Sequence, residues 1–96
     1  LEDNLNKQWV YIEDENAWIL EFTPYYDRDI VAVLTKDECG DWLLSSDVLK
    51  YDKEYVDDFN DHITIEAMQS IVEDKIHENY LDEGRYYNEL AELFVK

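Results

Sequence analysis

The chain of 96 residues has one cysteine, one proline and two glycines. The single cysteine, Cys39, excludes an intrachain disulfide and suits a reducing compartment. With glycine only at Gly40 and Gly84, there is no glycine-rich loop of the kind that cradles a nucleotide phosphate. No stretch of about 18 apolar residues exists and no signal peptide is visible, so neither a membrane span nor export is expected. Basic residues are also scarce, with 8 Lys plus Arg against 25 Asp plus Glu. A surface of that sign repels nucleic acid and anionic membranes alike. The expected location is the cytoplasm.

What is present is a globular composition under an unusual charge. The hydrophobic fraction is 46% and the aromatic fraction 15%, too rich for a disordered acidic tail. The net charge is -17. Up to Ser46 there are 11 acids and 3 bases, and after it 14 acids and 5 bases, so both halves carry the excess. A folded body charged this way repels itself. A small soluble domain is adequately served by a net charge of roughly 2–8 in magnitude, and this chain lies far beyond that.

The length implies a single domain, 1–96. Gln8 to Glu13 alternates as a strand, with Trp9 and Tyr11 on one side and Val10 and Ile12 on the other. Asp14 to Asn16 is a turn, and Ala17 to Thr23 a second strand whose Trp18, Leu20 and Phe22 share a face. Pro24 ends it, because proline cannot donate to a ladder. A third strand is expected over Asp29 to Lys36, with Ile30, Ala32 and Leu34 in one row. A turn through Gly40 leads to a fourth strand, Trp42 to Ser46. The connections are too short for crossover helices, so the sheet is an antiparallel meander.

The C-terminal half reads as helical. Asp52, Tyr55, Val56 and Phe59 have the spacing of a short helix. Thr64 is placed to cap a longer one, in which Ile65, Met68, Ile71, Val72 and Ile76 form an apolar stripe ending near Tyr80. Asp82 is expected to cap a last helix running to about Val95, with Gly84 in its first turn. The expected fold is therefore α+β: a four-stranded antiparallel meander sheet followed by two or three C-terminal helices packed on one face.

No catalytic constellation is found. His77 lies one helical turn after Glu73 and Asp74, a spacing used in metal sites, but only His62 could add a second imidazole. Asp57, Asp58, Asn60 and Asp61 supply oxygens without the glycine and terminal glutamate of a calcium loop. Cys39 sits between Glu38 and Asp41, whose charge disfavours a thiolate nucleophile. No metal, no cofactor and no enzymatic activity are expected.

The acids themselves are the better candidates. Asp52, Glu54, Asp57, Asp58 and Asp61 precede the long helix. Glu66, Glu73, Asp74 and Glu78 occupy its polar side, and Glu83, Glu89 and Glu92 continue the acidic surface. Asp74 and Glu78 form a like-charge pair at i,i+4, an arrangement that costs a few tenths of a kcal/mol. Duplex DNA carries one charge per about 1.7 Å, so the net charge matches about 29 Å of duplex. Tyr51, Tyr55, Tyr86 and Tyr87, scattered among these acids, would add apolar anchoring contacts.

In size and surface character the chain resembles the phage- and plasmid-encoded DNA mimics that block restriction or CRISPR nucleases. The resemblance, which is one of kind and rests on no shared motif, implies a basic DNA-binding or nuclease protein as partner, with no direct contact to nucleic acid or membrane; the twelve acids just named are the surface expected to meet it. It leaves a homodimer open. The alternatives are an immunity protein or antitoxin neutralising a basic toxin, and a general protein-interaction domain.

Overall fold

The computed structural model describes residues 6–23, 28–59 and 62–94, with the side chains of 85–87 outside the description. Its strands are β1 (Lys7–Ile12), β2 (Ala17–Phe22), β3 (Asp29–Lys36), β4 (Trp42–Ser46) and β5 (Tyr51–Tyr55), followed by helices α1 (Ile65–Asp82) and α2 (Arg85–Phe94). The strands form one antiparallel sheet in the order β1-β2-β3-β4-β5. The α+β meander and its C-terminal helices are thus as expected, but among the described residues the sheet has five strands rather than four, and two helices follow it. The expectations that fall on Pro24, Asn60, Asp61 and Val95 lie outside the described residues.

The extra strand is the main correction. The short helix expected through Asp52, Tyr55, Val56 and Phe59 is not formed; Tyr51 to Tyr55 instead pairs with β4, Leu43 facing Tyr55 and Leu44 facing Glu54. The segment is an edge strand whose Asp52, Lys53, Glu54 and Tyr55 are all exposed, so it lacks the apolar alternation that marks a half-buried strand. Charged side chains on an edge also discourage pairing with another chain. Lys50 and Lys53 take positive φ of 61° and 53°, and the Lys53 amide donates to Ser45 Oγ at 3.0 Å where the register shifts.

A bulge revises the rows of β3. Leu20 faces Ala32 while Glu21 faces Ile30, so Val31 is the extra residue. Val31 turns into the core, and Ile30 is left 52% exposed instead of joining Ala32 and Leu34. The bulge is held by Ser46, whose buried hydroxyl donates to the Val31 carbonyl at 2.7 Å and accepts from the Leu49 amide.

The core lies between one sheet face and the helices. Leu20, Phe22, Ala32, Leu34 and Leu44 are buried with Met68, Val72, Ile76 and Tyr80 of α1 and Leu90, Ala91 and Phe94 of α2. Each fully buried side chain of Leu or Phe size contributes about 1.5–3 kcal/mol. Phe94 meets Phe22 edge-on at 5.0 Å and Tyr80 at 5.9 Å, which fastens both helices to β2. Val10, Ile12, Ile19, Val33 and Leu43, on the opposite face, are only half-buried and lie outside this cluster.

Thr64 caps α1 as its sequence implies: its backbone is extended and its hydroxyl accepts from the Ala67 amide at 3.1 Å. The helix runs two residues past Tyr80, so Asp82 belongs to α1 and does not cap α2. The break comes at Gly84, with φ 121°, between the two helices rather than inside the second. Nothing from Glu78 to Glu83 breaks a helix, and glycine is the first residue that adopts this backbone without strain.

Candidate functional site

In a meander, the ends of β1, β3 and β5 fall on one side together with the starts of β2 and β4. That end of the sheet gathers Glu13, Asp14 and Glu15 from one turn, Asp37, Glu38 and Asp41 from another, and Asp57 and Asp58 after β5. Lys36 lies among them, and Lys75 reaches Asp58 from the helix packed alongside. Lys7, Arg28 and Lys50 sit at the opposite end, mixed with Asp29 and Asp47. The charge is therefore polarised along the strands.

A second acidic feature runs along α1. Glu66, Asp74, Glu78 and Asp82 are all exposed and recur in steps of four, with Ser70 at the remaining position. At 1.5 Å per residue the steps are about 6 Å and the row about 24 Å long. Among the described residues the ion pairs engage Glu73 with Lys7, Glu21 with Arg28 and Asp58 with Lys75, and no member of the row is in one. Four carboxylates thus stand along the exposed side of the helix, advancing about 40° around the axis per step of four, with their charge uncompensated by these pairs.

The other expected partner-binding residues divide into groups. Asp52 and Glu54 are exposed on β5, Asp57 just after it, Glu83 between the helices, and Glu89 and Glu92 on α2. Asp58 lies 3.7 Å from Lys75 of α1, and a hollow lined by Tyr51, Tyr55, Asp57 and Asp58 joins the β5 edge to that helix. Glu73 is employed internally. It accepts from the Trp9 indole at 2.7 Å through one carboxylate oxygen and faces Lys7 at 3.7 Å with the other, tying α1 to β1. Asp61 lies outside the described residues, as do the side chains of Tyr86 and Tyr87. Asp82, expected as a cap, completes the row on α1.

Tyr51 packs against the core, whereas Tyr55 is 66% exposed. The Tyr55 hydroxyl donates to Asp37 Oδ2 at 2.7 Å. The other Asp37 oxygen accepts from the amides of Cys39 and Asp41, both at 2.9 Å, closing the turn through Gly40. The Tyr55 hydrogen bond first, and the turn amides after it, hold the Asp37 carboxyl below the usual aspartate range. Donating to that carboxylate pushes the Tyr55 phenol above its ordinary value.

Beside this turn, Lys36 and Trp42 are cross-strand partners, and the Lys36 ammonium lies 5.0 Å from the centre of the indole. They line a cleft of about 340 Å³ with Gly40, Asp41, Tyr55, Val56, Phe59 and Ile63. The sequence marked Tyr55 and the turn separately. The pairing of Lys36 with Trp42 across a five-residue turn is the signal that could have joined them. Among the described residues no group of three or more His, Cys, Asp or Glu side chains could hold a metal ion, and no helix is long and apolar enough to cross a membrane.

Comparison with protein-family models, curated proteins and solved structures found no match.

Proposed function

We propose that this protein is a small acidic inhibitor that mimics DNA and occupies the positively charged nucleic-acid-binding groove of a target, such as a restriction or CRISPR nuclease or another DNA-binding protein. The observation that carries the reading is the row of Glu66, Asp74, Glu78 and Asp82, exposed along some 24 Å of one rigid helix. A cationic groove focuses negative partners into itself, and a pre-ordered row of carboxylates spends little entropy on docking there. The acids on β5 and α2 add to the same field. Inhibition by occupancy needs neither catalysis nor a cofactor. Binding of this kind forms quickly and weakens steeply with salt.

A second reading is supported by a different observation. The sheet face away from the helices carries Val10, Ile19, Val33 and Leu43 beside the acidic end of the strands, an apolar centre next to charge. That arrangement suits an immunity protein or antitoxin engaging a basic toxin.

The two readings separate in one experiment. The chain is immobilised, exposed to host lysate at low salt, and the captured proteins are challenged with duplex DNA. Release of a DNA-cleaving or DNA-reading protein by the duplex supports mimicry. A small basic toxin that stays bound in the presence of DNA moves the assignment to immunity. Capture of no basic protein overturns both.

A further inference from the structure

The cleft beside Trp42 has a chemistry of its own. Trp42 and Phe59, both packed against the core, line a space of about 340 Å³ with Val56 and Ile63, and Tyr55 of the neighbouring strand borders it. Asp41 supplies a carboxylate in the lining, and Asp37 is anchored to the Tyr55 hydroxyl beside it. Aromatic faces with a neighbouring carboxylate attract organic cations, because the ring quadrupole and the formal charge act in the same direction. Lys36 already demonstrates this preference, since its ammonium sits 5.0 Å from the Trp42 ring centre.

We propose that this cleft is a socket for one cationic side chain, lysine or arginine, of the partner protein, and that Lys36 is an internal stand-in which the incoming cation displaces. Deepening the DNA-mimic reading, the inference takes from it the cationic character of the partner. Its position fits that role. Ile63 lines the socket and Thr64 caps α1, so the socket opens at the head of the helix whose exposed side bears the carboxylate row. A groove that lies along the row can place one basic side chain in the socket. The row then supplies long-range attraction, and the socket supplies a short-range contact in which a flat guanidinium or an ammonium lies against the indole ring, in the place Lys36 now takes.

The test uses methylguanidinium as the probe and the whole chain, followed by the indole N–H signals of the tryptophans in NMR, with sodium at the same ionic strength as reference. The expected result is a saturable shift of the Trp42 signal larger than those of Trp9 and Trp18. Lys36→Gln, an exposed substitution that leaves the core untouched, should tighten binding severalfold by removing the competitor. Lys50→Gln removes the same charge from the other end of the sheet and should change the affinity less than twofold. Tyr55→Leu should weaken it severalfold. A shift that sodium reproduces, or one spread equally over the three indoles, overturns the socket. So does an equal gain in Lys36→Gln and Lys50→Gln, which would reduce the effect to net charge. Because the probe is a small cation, this failure is distinct from failure to find a DNA-displaceable partner.

Discussion

The two faces of the sheet are made from similar residues and have opposite fates. On one, Leu20, Phe22, Leu34 and Leu44 are sealed beneath the helices. On the other, Val10, Ile19, Val33 and Leu43 stay half-buried with no helix over them. The difference comes from the helices. Met68, Val72, Ile76 and Tyr80 recur in steps of four and need one sheet face, while the opposite side of the same helix bears Glu66, Asp74, Glu78 and Asp82. Stability is concentrated in a single interlayer, and both outer surfaces are left for other uses.

The largest expected effect follows directly. Phe22→Ala removes a ring locked against Phe94 and Tyr80 and should cost about 3–5 kcal/mol in urea unfolding. Ile19→Ala, next door on the open face, should cost less than about 1.5 kcal/mol, because less area returns to water. Equal losses would mean that the open face is covered after all.

Thr64→Ala comes next. It frees the first-turn amides of α1 and should cost about 1 kcal/mol, with Thr64→Ser largely restoring the loss. Added salt should then raise the thermal midpoint by about 2–5 °C, since screening relieves repulsion among carboxylates that the ion pairs leave uncompensated. A midpoint that falls with sodium chloride would show that pairing outweighs repulsion.

The smallest effect concerns Asp37 and Tyr55. A carboxyl with a lowered folded pKa adds stability above the ordinary aspartate value of about 3.9, and that stability is lost as pH falls through the folded value. A phenol with a raised folded pKa adds stability below about 10 and loses it as pH rises through the folded value. Tyr55→Phe should move the Asp37 titration upward in NMR and lower stability slightly between the two limits, with the difference from the parent vanishing as pH passes either folded value. An unmoved Asp37 titration would remove the Tyr55 hydrogen bond from the account.

Much of the covered face was legible in the sequence. Alternation and turn residues located β3 and β4 to the residue, Gly40 adopts the expected positive φ of 89°, and Thr64 caps the helix assigned to it. What escaped reading has a common physical origin in elements that bury little. The edge strand Tyr51 to Tyr55 shows four exposed residues and so no alternation. The bulge at Val31 depends on the Ser46 hydroxyl fifteen residues away. Asp82 had the right chemistry for a cap, but the chain has no breaker before Gly84. The acids of the site were visible as residue types. That Glu73 is taken up by Trp9 and Lys7, or that two acidic turns meet at one end of the sheet, follows only from the topology.

On the proposed DNA-mimic function, position and not total charge sets the contribution of the row on α1. Two variants of equal charge decide it: Glu66→Gln, Asp74→Asn, Glu78→Gln and Asp82→Asn on the helix, against Glu13→Gln, Asp14→Asn, Glu15→Gln and Glu38→Gln at the sheet end. Affinity for a captured DNA-displaceable target should drop at least about tenfold in the first and less than about threefold in the second. Equal losses, or the larger loss in the second, would contradict the account.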